Sequence, residues 1–321
     1  MRVGAIDCGT NSIRLLIADV GNGGGADGTA PTLTDVVRLN TIVRLGQGVD
    51  ATGWLAQEAL DRTFAATEHY SDLLQEHGVD ALRFVATSAT RDAGNRHVFV
   101  EGIRQRLGVD PEVISGDEEA ALSFAGASLV APATGADDRV LVVDLGGGST
   151  EFVLGSADGI MAARSVDIGC VRMTERHLGS NPPTAMQQQA VLEDVDRAVD
   201  HVMQSVPLDQ TRTLVGVAGS VTTITAHALG LGEYDPEKLN AAVLDDQQIV
   251  RACRELTEMT REQRAELPFM HPGRVDVIGG GALVWQRIVE RVTQATSGRV
   301  HSATTSEHDI LDGIALSLIT D

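Results

Sequence analysis

The sequence is poor in lysine, cysteine, aromatic residues and long apolar runs, and each shortage excludes a class of protein. Of the 25 basic residues among 321, only Lys238 is a lysine and the other 24 are arginines. Acidic residues number 45, which sets the formal charge at −20. A surface that acidic repels nucleic acid and anionic lipid in bulk, so neither a nucleic-acid nor a membrane partner is expected. An anion that does bind must be held locally, by arginine or by backbone N–H groups. The three cysteines, Cys8, Cys170 and Cys253, are odd in number, far apart and without a Cys-x-x-Cys pair. That pattern argues against a disulfide framework or a zinc site and fits free thiols in a reducing cytoplasm. No apolar run reaches the ~18 residues of a membrane span, and Asp7 follows too soon after the N-terminus for a signal peptide. The expectation is a cytoplasmic protein.

What is present is an alternation of strand and helix patterns separated by glycine-rich turns, as in α/β architectures. At 321 residues the length suits about two domains. Strands are expected over 2–7, 12–20, 33–45, 81–87, 111–114, 139–144, 149–155, 159–167 and 212–217. Helices are expected over 55–77, 94–107, 117–130, 184–204, 219–229, 245–257, 281–294 and 307–319. Gly21–Pro31 and Ala131–Asp138 read as surface loops, the second as the domain junction.

A repeat organises the chain. Asp7-Cys8-Gly9-Thr10-Asn11-Ser12 and Asp144-Leu145-Gly146-Gly147-Gly148-Ser149 share Asp-x-Gly-x-x-Ser at an offset of 137 residues, each between two apolar strands. An offset of one domain length implies two similar domains, each contributing one loop. In such a hairpin, glycine lets a ligand approach the backbone, successive N–H groups form an anion nest, and the hydroxyl adds a donor. The leading Asp would repel phosphate, so its roles are to hold Mg²⁺ or to orient water. A single copy would read as an ordinary turn; two in register favour phosphate.

Three further segments carry candidate chemistry. Gly219-Ser220-Val221-Thr222-Thr223 joins a strand to a helix, where N–H groups attract anions, although Ser220 is also a plausible N-cap. Ser115-Gly116-Asp117-Glu118-Glu119 opens a helix with three acids. Ser115 and Glu118 match a capping box, which leaves Glu119 on another face, where a carboxylate could deprotonate water. Arg91 follows a strand at a turn where a guanidinium could clamp phosphoryl oxygens, although a surface arginine in such a place ordinarily pairs with a neighbour, here Asp92, or with a helix end. Gly279-Gly280-Gly281 reads as a turn between a strand at 276–278 and a helix from Ala282.

These segments, in this order, resemble the exopolyphosphatase / guanosine pentaphosphate phosphatase family. The resemblance runs from Ala5–Leu15 to Ser306–Gly313 and is most specific at Ile114-Ser115-Gly116-x-Glu118-Glu119-Ala120 and Val143-Asp144-Leu145-Gly146-Gly147-Gly148-Ser149-Thr150-Glu151. It implies two RNase-H-like, actin-like ATPase domains flanking a cleft. The first would span 1–130, with the helix of 307–321 packing back on it, and the second 131–306. It further implies Glu119 as general base and Arg91 as phosphate ligand. Gly9, Thr10, Asn11, Ser12, Gly146, Gly147, Gly148, Ser149, Gly219 and Ser220 would contact phosphates, and Asp144 and Glu151 would hold Mg²⁺. Thr10 stands where many relatives have Ser, and the hydroxyl is kept. The implied reaction is Mg²⁺-dependent release of terminal orthophosphate from inorganic polyphosphate or guanosine pentaphosphate.

Longer members carry a C-terminal helical region with an HD-type domain; the sequence ends at Asp321 and reads as the short form. A basic channel for long chains would then have to be assembled across a homodimer. Two other readings stand beside this one. A phosphotransferase of the same fold would need an acceptor pocket, and a non-enzymatic alarmone or polyphosphate sensor would not need Glu119.

Overall fold

The structure, a computed structural model, describes residues 1–21, 32–130, 135 and 137–320. Of the two expected loops, all but Gly21, Gly135, Asp137 and Asp138 lie outside those residues. The chain forms two compact units, Met1–Gly126 with Ile310–Asp321, and Ala127–Asp309.

The first unit contains β1 (Arg2–Cys8), β2 (Ser12–Gly21), β3 (Thr32–Ile42), α1 (Val49–Thr52), α2 (Gln57–Glu76), β4 (Ala81–Ala86), α3 (Ser88–Asp92), α4 (Arg96–Leu107), β5 (Glu112–Val113) and α5 (Gly116–Ala127). In the second follow β6 (Val140–Leu145), β7 (Thr150–Ser156), β8 (Gly159–Val166), α6 (Cys170–His177), α7 (Ala185–Val202), β9 (Thr213–Val217), α8 (Ala218–Ala228), α9 (Pro236–Leu239), β10 (Val243–Asp245), α10 (Asp246–Glu258), α11 (Arg261–Ala265), α12 (Ile278–Ala295) and β11 (Ser302–Thr305). The last helix, α13 (Ile310–Thr320), returns to the first unit.

The first sheet has the order β3-β2-β1-β4-β5, with β1, β2 and β3 antiparallel in sequence and β4 and β5 parallel to β1. The second repeats that order and those directions as β8-β7-β6-β9-β11, and adds β10 antiparallel to β11. This is a mixed α/β fold of RNase-H-like, actin-like sheets, as expected. Strands β1 and β6 are almost wholly buried because both sheet faces are covered, which explains their unbroken apolar runs. In the first unit, Ile6, Ile13, Leu15 and Phe84 face one core with Phe64 and Tyr70 of α2. Alternate residues Val3, Ala5, Leu16 and Val85 face a second core with Leu122 of α5 and Ile310, Leu311 and Ile314 of α13. The second unit packs around Trp285, Phe152 and the valines of α7.

Three differences from the sequence reading have local causes. Gly279–Gly281 are the first turn of α12, not a turn after a strand, and nothing at 276–278 is a strand. They are glycine because α12 lies close against its neighbours: a Cβ would press on the Arg264 guanidinium at Gly279, on Thr174 and Cys170 at Gly280, and on Ser220 at Gly281. Second, α8 begins at Ala218, and Val217, not Ser220, is its N-cap, with no side-chain cap. Third, Ser115 Oγ accepts the Glu118 N–H at 3.2 Å, but the Glu118 carboxylate pairs with Arg83 at 2.6 Å. Strand β11, and the short β10, α1, α3, α6, α9 and α11, went unanticipated because their apolar patterns span too few residues to register.

The contact between α13 and α5 leaves no room at Gly313, where a Cβ would overlap the Leu122 carbonyl. Gly313→Ala is therefore expected to cost about 1–3 kcal/mol by overpacking and to lower the unfolding midpoint by several degrees. Thermal circular dichroism measures this, and an unchanged midpoint would mean that the two helices separate without cost.

Candidate active site

In the first unit the loop after β1 is closed by the Gly9 N–H donating to Ser12 O at 2.9 Å. Its next carbonyls are tied to the segment after β3: Thr10 O accepts from Gly46, and Asn11 O accepts from Val43 and Arg44. The buried Thr10 hydroxyl lies 3.0 Å from Ser88 Oγ at the start of α3. That short helix carries Arg91, whose Nη1 donates to Glu119 Oε2 at 3.0 Å and to Ile114 O at 3.1 Å. Glu119 lies one turn into α5 and is 7% exposed. The structure thus brings Gly9, Thr10, Asn11, Ser12, Arg91 and Glu119 into one connected region. Arg91 pairs with Glu119, whereas the sequence suggested Asp92.

In the second unit the Gly146–Ser149 turn is fixed by its carbonyls. Gly146 O accepts from Cys170 N, Gly147 O from Val171 N and Arg172 N, and Gly148 O from Gly169 N and Arg172 Nε. Three successive carbonyls therefore point at the start of α6. A trans peptide sets each C=O opposite the following N–H, so the N–H groups of Gly147, Gly148 and Ser149 point the other way, in a row. Such a row is an anion nest. The register of β6 and β9 places Val217 beside Asp144, so Gly219 and Ser220 follow directly at the same sheet end. There the first N–H groups of α8 have no side-chain cap, and the Arg274 guanidinium lies over Gly219 and donates to Thr223 Oγ1 at 3.1 Å. Sequence reasoning missed Arg274; its position after the Pro272-Gly273 turn was the one available signal.

The two repeat loops differ at one informative place. Asp7 lies opposite Arg14 in the β1–β2 register, and Arg14 Nη2 donates to Asp7 Oδ2 at 2.6 Å. The corresponding pair in β6–β7 is Asp144 opposite Glu151, two carboxylates on one face, 6% and 1% exposed. Ser165 Oγ donates to Glu151 Oε1 at 2.7 Å. Burying two like charges side by side is costly unless a cation or shared protons offset them. The cysteines offer no alternative nucleophile, because burial pushes the thiols of Cys8, Cys170 and Cys253 up.

Paired RNase-H-like sheets that present a glycine nest beside acidic side chains define a class of phosphate-handling enzyme. The Ppx/GppA phosphatase family profile matches residues 16–318, and the chain belongs to that family. It is a phosphohydrolase. Exopolyphosphatase 2 of Mycobacterium tuberculosis is 49% identical over 322 residues, covering 99% of this chain and 98% of that protein. A guanosine-5'-triphosphate,3'-diphosphate pyrophosphatase of Vibrio atlanticus is 32% identical over 71% of this chain and 44% of its own length. The crystal structure of an exopolyphosphatase-like protein superposes with a TM-score of 0.93 at 45% identity, covering 99% of this chain and 97% of that one.

The nest depends on Gly169, where a Cβ would overlap the Gly147 carbonyl and the Gly148 nitrogen. Gly169→Ala is expected, like Gly313→Ala, to cost about 1–3 kcal/mol of stability by overpacking, and to weaken tripolyphosphate binding about tenfold or more, since one charge-assisted hydrogen bond is worth about 1.5–3 kcal/mol. Calorimetric titration reads this directly, and affinity within about twofold of the parent would remove the nest from the site.

Proposed function

We propose that the protein releases terminal orthophosphate from inorganic polyphosphate, and from guanosine pentaphosphate, with a divalent cation. The observation that carries this reading is the row of N–H groups at Gly147, Gly148 and Ser149 beside the Asp144–Glu151 pair. It joins an anion grip to a place for a cation. The names of the relatives at 49% and 32% identity support the two substrates. Gly9 supports the first loop as a second grip: it has no positive φ and no obstructing neighbour, so the chain's own packing does not require glycine there.

No group of three or more His, Cys, Asp or Glu side chains suited to a metal occurs among the described residues. Magnesium does not need one, since it typically keeps several waters and takes one or two carboxylates together with substrate phosphates. Asp144 and Glu151 fit that donor set. When bound there, the ion would neutralise charge on the phosphoryl group. In our reading Glu119 takes the proton of a water whose oxygen bonds to the terminal phosphorus. The phosphoanhydride bond breaks, and its bridging oxygen leaves with the shortened chain. Arg91 Nε and Nη2 are assigned to phosphoryl oxygens while Nη1 holds Glu119. Gly9–Ser12, Gly146–Ser149, Gly219 and Ser220 are assigned to phosphate contacts.

We assign residues 1–130 with 307–321, and 131–306, as the two actin-like domains, a division supported by the repeated strand order. A cytoplasmic setting is supported by three free, buried cysteines. No helix among the described residues is long and apolar enough to cross a membrane.

Glu119→Gln is expected to lower kcat by about 10²–10⁴-fold with substrate binding retained, as loss of a general base does. Glu118→Gln, which touches only the partly exposed pair with Arg83, should stay within a few-fold. Phosphate release from tripolyphosphate measures both, and equal losses would refute the assignment of the base.

Excess EDTA is expected to abolish turnover, and Asp144→Asn to raise the Mg²⁺ concentration needed for half-maximal rate. Full activity of the parent protein in EDTA would remove the metal from the reaction.

A further inference from the structure

Arg274 stands where a cation is disfavoured. Its guanidinium lies over Gly219 in the first turn of α8 and donates to Thr223 Oγ1 at 3.1 Å, yet a helix N-terminus carries partial positive charge. Arg83, Arg287 and Arg291 are each offset by carboxylates, but among the described residues none pairs with Arg274. Ser220 belongs to the same turn of α8, and the Cys170 N–H donates to Gly146 O of the nest. Both residues lie against Gly281, where a Cβ would press on Ser220 Oγ and meet Cys170 Cβ at 3.2 Å. The guanidinium, the first N–H groups of α8 and the glycine nest thus share one end of the second sheet.

The backbone before Arg274 keeps it there. Pro272, Gly273 and Arg274 form a single 3₁₀ turn with His271 as its N-cap. Proline has no N–H, so the turn presents two donors, and His271 takes both. Its Nδ1 accepts the Gly273 N–H at 3.1 Å, and its carbonyl accepts the Arg274 N–H at 2.9 Å. A ring that accepts at Nδ1 is neutral, with its proton on Nε2. Helices α7, α10 and α11 are capped instead by Thr184, Asp245 and Thr260, whose oxygens keep their lone pairs near neutral pH. A histidine cap loses its acceptor in mild acid.

We propose that His271 is a positioning residue for the anion site: its neutral ring caps the turn that seats Arg274 over Gly219, and protonation of Nδ1 releases that turn. This rests on the assignment of Gly219 and Ser220 to phosphate contacts. In the protonated ring Nδ1 carries a hydrogen that faces the Gly273 N–H, donor to donor, and the imidazolium adds positive charge beside the guanidinium. Burial, and then the Arg274 charge, hold His271 below its ordinary value. The cap is therefore intact at neutral pH and is lost as the pH falls through that lowered value. Other ionisable groups of the adjoining elements are engaged elsewhere. His227 of α8 pairs with Glu255 of α10, Arg261 of α11 with Asp276, and Tyr234 with Glu307, while Arg264 donates to the Leu256 and Thr257 carbonyls.

Phosphate release from tripolyphosphate tests this with three substitutions. At neutral pH His271→Ala should lower kcat/KM about fivefold or more, as loss of one cap of typical strength does. His271→Asn, whose Oδ1 stands close to the place of Nδ1, should restore most of it. In an Arg274→Ala background, His271→Ala should add less than about twofold, because the histidine acts through the arginine. Between about pH 7.5 and about pH 5, the ratio of kcat/KM for the parent to that for His271→Asn should fall toward the level of His271→Ala. Only the parent's cap titrates, and protonation of the substrate cancels in that ratio. A flat ratio, equal losses from His271→Ala with and without Arg274, or an Arg274→Ala variant as active as the parent would each overturn the proposal. Absence of phosphate release by the parent would instead defeat the hydrolase reading. Calorimetric titration of tripolyphosphate into the same variants, over the same pH range, would then decide the role of His271.

Discussion

The second-unit site depends on the bonding of three glycine carbonyls to the first residues of α6. Gly146, Gly147 and Gly148 give their oxygens to the backbone of Gly169–Arg172, so their peptide planes are oriented before any ligand arrives. The N–H groups on the far side are left aligned as a consequence. A nest organised this way loses little entropy on binding. It also explains glycine at 169, which the sequence reading passed over: the carbonyl row and the start of α6 come too close for a side chain. Arg172 reinforces the arrangement by donating from its side chain as well as its backbone to the same turn.

The two sheets share strand order and directions, yet their paired hairpins carry different charges at matching positions. In the first, Asp7 is neutralised within the fold by Arg14. In the second, Asp144 faces Glu151, and a second negative charge replaces the cation. The first hairpin carries an ion pair within the fold, while the second sets two carboxylates opposite each other, the pair to which our proposal assigns the cation. The two sheets thus share a scaffold, and the residue opposite the aspartate, Arg14 in one hairpin and Glu151 in the other, makes their loops electrostatically different.

How much of this was legible in the sequence follows from the range of each signal. The hairpin loops were readable because the Asp-x-Gly-x-x-Ser pattern and its flanking strands are contiguous in the chain. Glu119 could be separated from Glu118 because helix geometry assigns neighbouring residues to different faces. The Arg91–Glu119 pair and the Arg274 guanidinium over Gly219 were not readable, since each joins segments distant in sequence. Gly279–Gly281 misled for a related reason. A glycine run looks like a turn locally, and only the side chains of Arg264, Thr174 and Ser220 pressing on it reveal a close-packed helix start. The strand β11 is four residues long and pairs in parallel with β9, a contact that no local pattern announces.

A net charge of −20 looks hostile to a polyphosphate substrate, but the two act over different distances. Many of the arginines are already engaged by acids, as Arg83 is by Glu112 and Glu118, and Arg287 by Asp196. Side-chain cations are therefore a poor resource for this chain. Backbone N–H groups need no side-chain cation to present a donor, and they carry no titratable charge. The acidic field falls off over a Debye length of about 8–10 Å in physiological salt, whereas hydrogen bonds inside the nest act at contact. On the function proposed above, a grip built from peptide groups would hold the phosphates next to it while the surrounding acidic surface would repel the remainder of a long chain.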